Sequence, residues 1–149
     1  MRSNIPRTAG DWAGDSLGGT PLVIVVNYAL HLIAAGLLLL VFFVVYTWTT
    51  PFDEMTLIRQ GNVAAALTVG GAMIGFAMTV ASGLMHTDNL LSFLGWSAAA
   101  AAIQLLSYAL VTRLLHMSKE QIEGKNVAFG VLLASISVAV GAISAGALS

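Results

Sequence analysis

The chain has 149 residues, of which 58% are hydrophobic and only 9% charged, and its mean hydropathy is +0.88. Soluble domains carry about 25% charged residues, so composition excludes a water-soluble fold, while a formal net charge of −1 without a basic run excludes a nucleic-acid surface. With no cysteine, disulfides, iron–sulfur clusters, thiolate zinc sites and cysteine nucleophiles are excluded as well.

Residues 1–20 are rich in Gly, Ser and Asp, carry Arg2 and Arg7, and read as a flexible extramembrane tail that Trp12 anchors at the lipid headgroups. Four apolar stretches follow, at 22–48, 62–84, 91–115 and 126–148, each near or above the roughly 20 residues that a bilayer-spanning helix needs. The first is too long for a signal-peptide core and is expected to stay in the mature protein. It holds Asn27 and His31, four residues apart and so on one helix face. A neutral histidine can ligate haem or a chlorin magnesium, and His31 is the candidate for that chemistry; the plainer reading is a hydrogen bond to Asn27, another helix or interfacial water.

The second stretch is preceded by a polar segment containing Arg59 and opens on Asn62, placed to cap the helix by accepting from an unpaired backbone N–H. Within it, Gly71, Gly75, Thr79 and Gly83 recur at four-residue spacing, a small face that lets helix backbones approach closely in lipid. A short hairpin with His86 leads to the third stretch, whose polar marks are Gln104 and Ser107. These two are read as glue between helices, or as part of a polar path with Asn27 and His31. A second polar segment with His116, Lys119 and Lys125 leads to Asn126, the second expected cap, and to the fourth stretch, where Ser137, Gly141 and Ala145 form a similar small stripe.

The second and fourth stretches are two versions of one sequence. NVAAALTVGGAMIGFAMTVASGL from Asn62 returns 64 positions later as NVAFGVLLASISVAVGAISAGAL from Asn126, and Ile58 pairs with Ile122 at the same offset. The repeating unit is a helical hairpin, residues 21–84 and then 85–149. Because two spans return the chain to its starting side, the copies share one orientation and are related by an axis along the membrane normal. The expected fold is an all-α integral membrane protein with four transmembrane helices built as a tandem parallel repeat of two-helix hairpins.

The loop isoleucine, the GN or KN pair, and NVAAAL…GG…IGFA in the first copy with NVAFGV in the second resemble the YjfL-type bacterial inner-membrane family, filed as domain of unknown function 350. The likeness covers roughly residues 25–148. It implies the same duplication and a bacterial inner-membrane location, but no activity and no catalytic residues. Ala134 and Ser135 stand where the first copy has Gly70 and Gly71, a departure from strict symmetry.

Arg59, Arg113, Lys119 and Lys125 fall on one side of the four spans, against Arg2 and Arg7 on the other. The positive-inside rule then places both termini outside the cytoplasm, in the periplasm of a bacterium. No Asp or Glu lies inside a span, which disfavours ion-coupled transport, and no HExxH, GxSxG, Walker or Rossmann motif points to an enzyme. The expected function is a non-enzymatic structural or accessory one without a cofactor: a bundle packing through small-residue faces into a homo-oligomer or against other membrane subunits. An oligomeric passive channel lined by Asn27, His31, Gln104 and serines is the alternative, and a haem- or chlorin-binding subunit using His31 a minor one.

Overall fold

The structure is a computed structural model and describes residues 21–87, 89–115 and 118–148; the tail with Arg2, Arg7 and Trp12 lies outside the described residues, as does His116. The element order is α1 Pro21–Thr49, α2 Glu54–Arg59, α3 Val63–His86, α4 Leu90–Leu114, α5 Ser118–Glu123 and α6 Val127–Ala147. The long helices α1, α3, α4 and α6 are each long and apolar enough to cross a membrane. Even the shortest, α6 with 21 residues, rises about 31 Å at 1.5 Å per residue, enough for a hydrocarbon core of about 30 Å. The helix boundaries lie within two residues of the apolar stretches read from the sequence, and among the described residues there is no strand. The sequence did not foretell that both polar segments between spans also fold, into the six-residue helices α2 and α5.

By contacts the chain divides into residues 1–33 and 34–149. Of the first unit, 21–33 are described, as the N-terminal part of α1. They form an apolar helix whose large side chains, Leu22, Ile24 and Ile33 among them, are at least half exposed, as suits a helix facing lipid.

In the second unit α3 is the central element. More than half of its most apolar window is buried (56%), against 22% for α4 and for α6. Its most extensive partner is α6; α4 and α2 also pack on it, and α4 packs on α6. The part of α1 after Ala34 joins through aromatics: Phe42 stacks on Phe76 of α3 with ring centroids 4.3 Å apart, and Tyr46 meets Tyr108 of α4 edge-on at 5.0 Å. Offset and edge-to-face rings of this kind contribute about 0.5–1.5 kcal/mol each beyond the area they bury.

The helix α3 runs parallel to α6. Ala64 lies against Gly130 near the start of both, Gly71 against Ala134, Gly75 against Gly141, and Ser82 against Ala145 near the end. The turns leading into these two helices match atom for atom at a spacing of 64. Gly61 N–H donates to the Ile58 carbonyl (2.9 Å) and Asn62 N–H to that of Leu57 (2.9 Å); Lys125 N–H donates to Ile122 (3.0 Å) and Asn126 N–H to Gln121 (2.9 Å). Both turns need a residue in the left-handed region, Gly61 at φ +77° and Lys125 at φ +59°, where a side chain is strained and glycine is not.

Candidate functional site

The α3–α6 seam is built from backbone on backbone. A Cβ placed on Gly71 would come within 2.6 Å of Ala134 Cβ, and one on Gly130 within 2.6 Å of the Ala64 carbonyl oxygen. At Gly75 it would meet the Ser137 carbonyl and, at 2.9 Å, Gln104 Nε2; at Gly141 it would meet the backbone of Gly75. These glycines are therefore fixed by contact inside one chain. The seam carries hydrogen bonds as well: Thr79 Oγ1 donates to the Gly141 carbonyl at 3.2 Å and Ser82 Oγ to that of Ala145 at 2.7 Å. Gly83 belongs to a different contact, with Phe93 of α4 at 3.2 Å from an added Cβ. Outside the seam an apolar groove lies open between α3 and α6, lined by Ala66, Gly70, Ile74, Ser135 and Ala139 among others. Nothing stands within 4 Å of a Cβ on Gly70.

Gln104 is buried at 4% exposure and donates from Nε2 to the Ser137 carbonyl at 2.9 Å, which ties α4 to α6. Half-buried Ser107 lines, with Gln104 and Ser137, a cavity of about 10 Å³, room for about one water. On α1, Asn27 is exposed; His31 Nδ1 lies 2.9 Å from the Asn27 backbone carbonyl, a contact in which the imidazole N–H donates. His86 closes α3 with Nδ1 against the Ser82 carbonyl, also at 2.9 Å. Among the described residues, no three His, Cys, Asp or Glu side chains converge as a metal set would.

The two asparagines that open α3 and α6 have unlike surroundings. Asn62 is 1% exposed; its Oδ1 accepts from Ala65 N–H at 3.1 Å and caps α3, while Nδ2 donates to the Ile122 carbonyl at 2.6 Å. It thus fastens the start of α3 to α5. Asn126 is exposed; it caps α6 by accepting from Phe129 N–H at 3.2 Å and donates to the Gln121 side chain on its own α5.

One buried group escaped the sequence reading. Glu54, the first residue of α2, is 2% exposed, although it sits in a polar segment whose hydropathy marks it as solvated. The helix α2 forms because Asp53 caps it, with Oδ1 and Oδ2 accepting from the Thr56 N–H and hydroxyl at 3.1 and 2.7 Å. The Thr56 bonds hold the exposed Asp53 carboxyl below its ordinary range. The same turn directs Glu54 inward, toward Tyr46 and Thr50 at the end of α1, with Tyr108 of α4 beyond Tyr46. Burial pushes the Glu54 carboxyl up to about 7, against the pull of Thr50 and Tyr46 and with a small push from Asp53. At about 1.4 kcal/mol per tenfold, keeping it charged costs on the order of 3 kcal/mol. The exposed Lys119–Glu123 pair (3.8 Å) contributes far less. Only the fold reveals this site, because nothing in a solvated-looking PFDEM turn signals an inward carboxyl.

The fold defines a class: an all-α membrane protein with four spanning helices and two short helices in the connections between them. A family model described as Domain of Unknown Function (DUF350) matches residues 18–148, and the chain belongs to that family. It is similar to the UPF0719 inner membrane protein YjfL of Escherichia coli (strain K12), 27% identical over 112 residues that cover 75% of this chain and 85% of the relative. The UPF0719 transmembrane protein YshE of Bacillus subtilis (strain 168) is 30% identical over 115 residues, 76% of this chain and 86% of the relative. No solved structure matches.

Proposed function

We propose that the protein is a non-enzymatic structural or accessory component of the bacterial inner membrane, built as a tandem parallel repeat and needing no cofactor. The observation that carries this reading is where the buried polar side chains go. Thr79, Ser82 and Gln104 each donate to a carbonyl on another helix, which joins helices and leaves few groups to bind or move a solute. In lipid such bonds contribute about 0.6 kcal/mol on average, and close backbone packing contributes much of the rest.

Assembly with further copies or with other membrane subunits then uses the outer surface, since the inner small stripe is occupied within the chain. The groove at Ala66, Gly70, Ser135 and Ala139 is the place where another helix gains close approach. The inner-membrane location rests on the likeness to the inner membrane protein YjfL of Escherichia coli. The orientation, with both termini periplasmic and α2 and α5 on the cytoplasmic side, rests on Arg59, Arg113, Lys119 and Lys125.

Gentle native extraction with mass determination of the intact particle tests the reading, an absorption spectrum being recorded on the same sample. Homo-oligomers or stoichiometric foreign subunits, without a pigment band, are expected. A haem or chlorin band that disappears in His31→Leu would overturn it, as would ion flux through purified protein in liposomes that is lost in Gln104→Leu or His31→Leu.

A further inference from the structure

The junction of α1, α2 and α4 encloses four oxygen-bearing side chains: Tyr46 at 1% exposure, Thr50 at 9%, Glu54 at 2% and Tyr108 at 5%. We propose that Glu54 is a proton-binding group, whose protonated carboxyl closes this junction and whose ionisation loosens it.

The Thr50 hydroxyl is engaged with the Thr47 carbonyl at 3.0 Å, although Thr50 and Tyr46 both favour the charged carboxyl. The neighbouring phenols of Tyr46 and Tyr108 hold one proton each, and neither makes an aligned hydrogen bond; nor does either oxygen of Glu54, although Tyr46 lies within electrostatic reach of both Glu54 and Tyr108. A carboxylate buried here at 2% exposure, with neither oxygen hydrogen-bonded, is costly away from water. One added proton converts a Glu54 oxygen into a donor for Thr50 or Tyr46 and allows the phenol protons to align along the chain of oxygens.

Among the described residues no cation acts on Glu54 to offset the charge. On α2, Asp53 raises the cost, and Arg59 acts on Asp53. From α1 the facing groups are Tyr46 and, just past the helix end, Thr50; from α4 it is Tyr108, with Arg113 exposed further along the helix. The helix α3, which packs on α2, has no ionisable side chain before His86. Burial places the carboxyl near neutrality, at about 7. An open cleft of about 440 Å³, lined by Thr47, Trp48, Thr50, Phe52, Asp53 and Glu54, gives the proton a route to water.

The test uses the whole protein in lipid nanodiscs. The infrared carbonyl band of protonated carboxyl groups is followed against pH in the native chain and in Glu54→Gln, Tyr46→Phe and Tyr108→Phe. The native protein should lose one such band with a midpoint near 7, against 4.5 for an ordinary glutamate; Glu54→Gln should lack it. In Tyr46→Phe the midpoint should rise, because the hydroxyl favours the charged form; Tyr108→Phe is a milder variant that keeps the carboxyl observable if Tyr46→Phe fails to fold. A midpoint in the ordinary carboxylate range, or a band that survives Glu54→Gln, overturns the proposal. So does a midpoint that moves when sodium and potassium are replaced by a bulky organic cation, since the site would then bind a metal cation in competition with the proton.

Discussion

At the scale of single residues, the difference between Gly70 and Gly75 separates packing inside the chain from packing outside it. An alanine methyl at Gly75 meets the Ser137 carbonyl and Gln104, whereas at Gly70 it meets nothing within 4 Å. Gly75→Ala should therefore cost about 1–3 kcal/mol, the range for overpacking a close contact, and Gly70→Ala should leave the isolated chain as stable or more so, alanine being the better helix former by up to about 1 kcal/mol. Thermal unfolding of both variants in detergent checks the contrast. The asparagines give a second one: Asn62→Ala removes a cap and a buried bond to Ile122, Asn126→Ala a cap at an exposed site. The first should lose about 2–3 kcal/mol and the second about 1, read from the same unfolding curves. The capping positions and the four-residue small spacing were legible because they depend on local chemistry. That Asn62 is buried and Asn126 exposed was not, because it depends on what α5 brings beside each.

Among the elements, the two short helices hold most of what the sequence concealed. Hydropathy separated spans from polar segments correctly, but it cannot report that a polar segment folds back and turns one acid inward. The consequence is a pH dependence whose sign follows from linkage. Glu54 binds its proton more tightly in the folded chain, at about 7, than at its ordinary value of 4.5. The stability linked to it is therefore fully present below about 4.5, falls as pH rises from there to about 7, and is flat above. Melting temperature measured across that window should decline in the native chain and stay nearly level in Glu54→Gln. The tie between α4 and α6 is a separate matter: Gln104→Leu removes the bond to the Ser137 carbonyl and should cost roughly 1 kcal/mol, seen as faster hydrogen exchange along α4 with little change along α3.

For the whole molecule, the membrane class followed from composition alone, while a 64-residue offset in the sequence led to the expectation of a tandem repeat. What the offset could not say is which helices meet. The helices α3 and α6 pair in parallel along their length through small residues that do not stand 64 positions apart, Gly71 against Ala134 and Gly75 against Gly141. The proposed orientation, which rests on cation placement, predicts that a reporter fused after Ser149 is active only outside the cytoplasm; cytoplasmic activity would reverse it. A parallel α3–α6 pair formed within a single chain is tested most directly by disulfide trapping, for which the cysteine-free chain needs no background changes. Ser82→Cys with Ala145→Cys should cross-link within one chain and run as a monomer that migrates differently from its reduced form. Cross-linked dimers in place of that monomer, or efficient trapping of the antiparallel combination Ala64→Cys with Ala145→Cys, would contradict it.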